Sequence, residues 1–248
     1  MALNRRNGKK YMKDTAVRNM FETIAWGYDF QNSFLSLRRD VYWRRALAER
    51  LQLKDGGTVL DVAVGTAETA LAISKRYPAA RVVGVDFSPA MLAVGRKKIV
   101  GRGSEAKIHL SAGDGRQLPI RSGSAEAVTI TFGLRNIEER GVALAEFHRV
   151  LKPGGRLFVM EFSYPDHPLL YRLYRFYFDH ILPPLGNLIS RTNYAYSYLA
   201  ESVDDWPRDG VFLAEIAAAG FSDLRVQKLT FGIAKIYEGR KITGEAAQ

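Results

Sequence analysis

Apolar residues along this chain recur with two periods. Between positions 58 and 161, short apolar runs alternate with stretches in which apolar residues return every three or four positions. The runs near 58–63, 81–86, 107–112, 125–131 and 156–161 predict buried strands, and 67–76, 89–100 and 138–151 predict helices. This alternation predicts a doubly wound, largely parallel α/β sheet. Upstream, Val17, Met20, Phe21, Ile24 and Ala25 share a helical face, so a helix is expected from Asp14, its cap, to about Asp29. A second is expected over Arg38 to Leu51, and Lys152-Pro153-Gly154-Gly155 reads as a turn before the fifth strand. Downstream, a helix near 209–219 and strands at 223–230 and 232–238 complete a seven-stranded sheet with an antiparallel edge hairpin. Residues 163–205 interrupt the pattern as an aromatic-rich helical insert, in which tyrosines and phenylalanines are interleaved with Leu and Ile.

Composition narrows the chemistry. With 248 residues and 47% hydrophobic content, one domain over 13–248 is expected, carrying the insert and preceded by a basic, disordered tail over 1–12. No cysteine is present, which excludes disulfides, thiolate metal sites and a cysteine nucleophile, including the covalent route to pyrimidine C5. His109, His148, His167 and His180 lack metal-ligand spacing, so no metal is expected. A net charge of +10 favours polyanions, either nucleic acid or an anionic membrane face. No signal peptide and no bilayer-spanning apolar run is visible. The expected location is cytoplasmic, soluble or peripheral at the inner face of the membrane.

The most informative run is Thr58-Val59-Leu60-Asp61-Val62-Ala63-Val64-Gly65-Thr66-Ala67-Glu68, an apolar strand that turns through Gly65 into a helix. The next strand, Arg81 to Asp86, also ends in an acid. A glycine turn admits close approach of backbone N–H groups, and Asp86 at a strand tip is placed to accept from ribose hydroxyls. The turn has one glycine where a dinucleotide-binding turn has three, and Glu68 near the helix start would repel phosphate. Together with Asp61 it suits a cationic, phosphate-free nucleoside such as S-adenosylmethionine (SAM). The plainer alternative is that Asp61 and Glu68 only cap the helix.

These residues, with Ala112-Gly113-Asp114-Gly115 and Leu151-Lys152-Pro153-Gly154-Gly155, resemble a class I SAM-dependent methyltransferase of Rossmann-like fold. Val17-Arg18-Asn19-Met20-Phe21 with Tyr28-Asp29, Thr131-Phe132-Gly133-Leu134-Arg135-Asn136, Glu161-Phe162-Ser163 and Tyr198-Leu199-Ala200-Glu201-Ser202 are similar to the UbiE/MenG/Coq5 family. The similarity covers about residues 13–241. It implies C-methylation of a demethylated prenyl quinol in menaquinone or ubiquinone biosynthesis, with SAM as co-substrate and no metal. It also implies SAM contacts at Thr66, Asp86, Asp114, Gly115 and Thr131. The chain departs from the family at Ala67 and Glu68, where Gly and Asp are usual. If position 67 needs a positive φ, Ala costs on the order of 1 kcal/mol there.

The sulfonium is already an activated leaving group. The protein's task is to hold an electron-rich carbon in line with it and assist loss of a phenol proton. Arg135 and Asn136, at the end of the fourth strand, stand where such sheets place substrate, and the family implicates them with Tyr28 around the ring. Their plainer roles are a surface arginine, a helix N-cap before Ile137 and a core aromatic. The insert reads either as core or as a greasy lid for a lipid tail that touches an anionic membrane. Competing functions are a nucleic-acid methyltransferase, which the charge alone suggests, another small-molecule methyltransferase, and a non-catalytic scaffold. No nucleic-acid partner is expected, and homo-oligomerisation is left open.

Overall fold

A computed structural model describes residues 3–6, 9–12, 14–27, 29, 33, 36, 38–53, 56–181 and 195–242. Strands β1 (Leu3–Arg6) and β2 (Lys9–Met12) precede helices α1 (Asp14–Ile24) and α2 (Arg39–Arg50). The regular part follows as β3 (Thr58–Val62), α3 (Glu68–Arg76), β4 (Arg81–Asp86), α4 (Pro89–Gly101), β5 (Ile108–Ala112) and β6 (Ala125–Thr131). A 3₁₀ turn at Leu134–Asn136 leads to α5 (Arg140–Val150) and β7 (Leu151–Phe162). The insert contributes α6 (Pro168–Phe176), which runs into a π-helical turn at Tyr177–Ile181, and α7 (Ala195–Asp204). Helix α8 (Asp209–Ala218), β8 (Phe221–Leu229), a short turn at Thr230–Gly232 and β9 (Ala234–Lys241) close the domain.

The sheet order is β5-β4-β3-β6-β7-β9-β8. Strands β3 to β7 pair in parallel, and β9 lies antiparallel between β7 and β8, as the sequence pattern predicts. The chain winds outward from β3 through β4 to β5, then returns to the other side of β3 with β6. That reversal opens a crevice between the C-terminal ends of β3 and β6, where open α/β sheets bind ligands.

Alternation along each strand feeds two cores. One face packs Val59, Ala127 and Phe158 under Trp43 and Leu47 of α2, Ile73 of α3 and Leu92 of α4. The other packs Leu60, Val62, Val128 and Ile130 under Leu144 and Phe147 of α5 and Phe212 and Ile216 of α8.

Three expectations need correction. Residues 1–12 were expected as a disordered tail, yet β1 and β2 pair antiparallel from Leu3↔Met12 to Arg6↔Lys9. Asn7-Gly8, the dipeptide most favoured between paired strands, stands between them in the sequence, a local signal that outweighs basic composition. Strand β7 begins at Leu151 rather than after a turn at 152–155. A register shift between Ala125 and Ala127 takes up the extra residues, with Gly154 at φ 77°. Helix α1 ends at Ile24, where the N–H of Gly27 bonds the Ile24 carbonyl, short of Asp29.

Candidate active site

The turns at the crevice are strained. Ala63 (φ 52°), Gly65 (φ 54°), Ala67 (φ 67°) and Phe132 (φ 56°) all occupy the left-handed region at the ends of β3 and β6. Three of the four carry side chains, each costing about 1–2 kcal/mol. Ala67 is fully buried and its methyl packs against Gly95 of α4. Burying that methyl returns about 0.8 kcal/mol, so the departure from glycine is nearly compensated. Gly133 cannot carry a side chain, since a Cβ there would fall 2.5 Å from that of Ala63.

One carboxylate ties the turns together. Asp86 Oδ2 accepts from the Gly65 N–H at 2.7 Å, and Oδ1 accepts from the Ser88 N–H at 2.9 Å. The turn after β3 is thereby bonded to the turn that starts α4. Each oxygen has a second lone pair, so the group can still accept from a vicinal diol.

The cavity at the crevice measures about 600 Å³, a size typical of small-molecule sites. Its floor and walls come from Val62, Gly65, Asp86, Phe87, Met91, Gly113, Asp114, Gly115, Thr131, Phe132, Asn136 and Ile137. Gly113 and Gly115 let the backbone approach closely: a Cβ would lie 2.8 Å from Val85 and 3.1 Å from Ile137, respectively. Val17, Arg18 and Phe21 of α1 form the roof. Glu22 holds that roof down, accepting from Ser88 Oγ at 3.0 Å and the Ala90 N–H at 3.2 Å. Asp29 accepts from Thr66 Oγ1 at 2.5 Å and pairs with Lys98.

Among the residues singled out from sequence, Gly65, Asp86, Asp114, Gly115, Thr131 and Asn136 line this cavity. Thr66 is buried, with its hydroxyl on Asp29. Asp61 and Glu68, read as partners for a cationic ligand, do not line it. Glu68 is engaged by Lys98 at 2.8 Å. Asp61 points from β3 toward β6, where its Oδ1 accepts from Thr129 Oγ1 at 2.7 Å. Tyr28 lies outside the described residues.

Arg135 is neither a surface residue nor part of the cavity wall. Its guanidinium, 7% exposed, pairs with the fully buried Glu161 at 2.9 Å, bonds the Phe132 carbonyl and Ser202 Oγ, and lies 5.4 Å from the Phe162 ring centre. Nor does Asn136 cap a helix: α5 starts at Arg140, and the Asn136 amide instead receives the Tyr198 hydroxyl on Oδ1 at 3.0 Å. Sequence reasoning missed the roles of Glu22, Glu161, Tyr198 and Ser202. The last three stood inside runs already noticed, but no local pattern ties them to their partners.

The buried acids are electrostatically costly. Burial lifts the Asp61 carboxyl from the ordinary 3.8 to about 7, against the Thr129 bond and the positive charge of Arg44. Asp86 rises to about 6 for the same reason, opposed by the Ser88 and Gly65 N–H groups. Asp114 moves the other way, held down by Arg116 at 2.7 Å. Three buried side-chain atoms have no hydrogen-bond partner among the described residues: Asp61 Oδ2, Thr131 Oγ1 and, away from the site, Gln227 Oε1. An orphaned hydroxyl at the cavity, a carboxylate with spare lone pairs and apolar walls suit a nucleoside with a polar tail.

A seven-stranded sheet in this order, with its edge hairpin and a cavity at the strand reversal, defines the class I SAM-dependent methyltransferase fold. A SAM-dependent methyltransferase from Aquifex aeolicus shares it, with a TM-score of 0.60 at 17% identity over 80% of this chain and 89% of that one. The chain belongs to the ubiE/COQ5 methyltransferase family, whose model matches residues 9–241. Among its relatives, a ubiquinone/menaquinone biosynthesis C-methyltransferase of Syntrophotalea carbinolica is 44% identical over 238 residues, 96% of this chain and 99% of that protein. A demethylmenaquinone methyltransferase of Thermus thermophilus is 46% identical over 220 residues, 89% of this chain and 99% of that one.

A raised carboxyl binds its proton more tightly in the folded state, so its contribution to stability falls as pH climbs from 3.8 to about 7 at Asp61. Asp61→Asn removes the buried charge and keeps an acceptor for Thr129. Its melting temperature should exceed that of the wild type near pH ~8 and converge with it near pH ~4. An equal gain at both would assign the effect to packing.

Proposed function

We infer that this protein transfers the methyl group of SAM to a ring carbon of a demethylated prenyl quinol, a reading supported by relatives named as a ubiquinone/menaquinone biosynthesis C-methyltransferase and a demethylmenaquinone methyltransferase. The reading is carried by the site's composition: one acid able to hold a ribose, at the tip of β4, beside a cavity whose remaining walls are mostly apolar. Asp86 would accept the ribose hydroxyls with the lone pairs its backbone bonds leave over. Gly65, Asp114, Gly115 and Thr131 would complete the nucleoside and amino-acid contacts. Phe87, Met91 and Ile137 offer flat or flexible apolar surface to a base or ring.

The reaction forms one carbon–carbon bond as the C–S bond gives its electron pair to sulfur, and the quinol ring loses a proton. The protein's share is alignment and a field that favours a developing phenolate. Asn136 stands at the wall where a substrate oxygen would lie. Arg135 sits directly behind it, its positive charge balanced by Glu161, in a positioning role rather than as a base.

A lipid-tailed substrate requires delivery from a membrane. Among the described residues no helix is long and apolar enough to cross one. Helix α6 offers an interfacial contact instead: Leu169, Arg172, Leu173 and Phe176 repeat on one face, and its three apolar members are 57–59% exposed. Fully burying such a side chain yields about 1.5–3 kcal/mol, and the net charge of +10 adds attraction to anionic lipid.

Three outcomes test these statements. Incubation with methyl-labelled SAM and membrane extract should place label in a prenyl quinol; label in nucleic acid instead would refute the substrate. Asp86→Ala should weaken SAM binding by about 1.5–3 kcal/mol in a calorimetric titration, the value of a hydrogen bond to a charged group. An unchanged dissociation constant would remove Asp86 from the ribose. Replacing Leu173 and Phe176 by Ser should lower co-sedimentation with phosphatidylglycerol vesicles at least about tenfold, given the burial lost. Undiminished binding would move the membrane contact off α6.

A further inference from the structure

The 3₁₀ turn after β6 is gripped by the insert at two points. Ser202 of α7 meets Arg135 Nε at 3.2 Å, and one helical turn earlier Tyr198 donates its hydroxyl proton to Asn136 Oδ1 at 3.0 Å. The second contact has a chemical consequence. The two ends of an asparagine amide have almost the same shape and opposite polarity, so something must decide which end faces a ligand. A hydroxyl can donate or accept, but the Phe132 carbonyl beside Nδ2 can only accept, so the pair of neighbours sets Tyr198 as the donor to Oδ1.

With Oδ1 occupied by Tyr198, the N–H pair of Asn136 is turned the other way. Its protein partner there is weak: the Phe132 carbonyl lies 3.4 Å from Nδ2 and already accepts from Arg135. Asn136 itself lines the cavity. We propose that Tyr198 is a positioning residue that fixes the Asn136 amide so that an N–H donor, not a carbonyl, faces the substrate oxygen. The inference rests on reading this cavity as the methyl-transfer site. Its chemistry selects an oxygen that gains negative charge, because a donor strengthens its bond as the phenol proton leaves, whereas a flipped amide would set lone pair against lone pair. The hydroxyl of Tyr198 therefore contributes to turnover without touching substrate.

Tyr198→Phe in the full chain, assayed with SAM and a short-tailed demethylated quinol, should lower kcat by about 10²-fold, the value of one lost donor to a developing oxyanion. The KM for SAM and the melting temperature should stay at wild-type values, and added to Asn136→Ala the change should cost nothing further. Wild-type kcat, a matching rise in the KM for SAM, or losses that multiply in the double variant would each overturn the proposal. A second variant guards against misfolding: Asn136→Asp presents an acceptor to the cavity whichever way it turns, and should match the Tyr198→Phe defect. Full activity in that variant would also overturn it. The orientation has its own readout in the ¹⁵N side-chain amide lines of Asn136, which should shift and broaden in Tyr198→Phe; unchanged lines would refute it. Should the wild type methylate no quinol, the functional reading fails while the amide lines still decide the role of Tyr198.

Discussion

The site depends on what Asp86 does with its two oxygens. A parallel sheet that reverses its winding leaves a gap, and loops at a gap have no neighbouring strand to order them. Asp86 supplies that order by accepting the N–H of Gly65 on one oxygen and that of Ser88 on the other. The arrangement is unfavourable for an isolated carboxylate, and its raised affinity for a proton records the cost of burial. Left-handed φ values at Ala63, Ala67 and Phe132 add strain at the same place. The cores on the two sheet faces hold both in position, which is why a rigid scaffold precedes a reactive pocket.

Much of this was legible in the residues. Strand and helix positions followed from periodicity, and the glycine turn with an acid on the next strand located the cavity. What escaped was direction and distance. The acid Asp61 was counted as a ligand contact, but alternation from Val59 sends it to the face where Thr129 waits on β6. Glu68 was assigned a ligand, but Lys98, one crossover later, is close enough to engage it. Arg135 and Glu161 lie 26 residues apart and Asn136 and Tyr198 lie 62 apart, so no local pattern announces either pair. Lys152-Pro153-Gly154-Gly155 has the chemistry of a turn, and it bulges unpaired from β7 between Leu151 and Arg156, which pair with Ala125 and Ala127 of β6.

The insert is more than decoration on the sheet. Tyr164 and Arg175 both meet Asp204, joining the start of the insert and α6 to the end of α7. Through Tyr198 and Ser202, α7 then reaches the turn that carries Arg135 and Asn136. The same segment that shows an apolar stripe to the outside thus also bonds Asn136 of the cavity wall. A buried pair such as Arg135–Glu161 is weak support for stability, because desolvation consumes much of the attraction. Its worth lies in holding one geometry at the junction of β6, β7 and the insert.

The roof over the cavity is held in two ways. Helix α1 is seated by the buried Val17 and Met20 and by Phe21 edge-on to Phe87, and it is fastened further by Glu22 at the start of α4 and, beyond its end, by Asp29 on Lys98. Of these, the Asp29–Lys98 ion pair is the one that counterions weaken, since attractions between partly exposed charges are screened over about 8 Å at physiological ionic strength. The salt of the surroundings therefore acts on one fastener of the roof and leaves the buried face of α1 untouched.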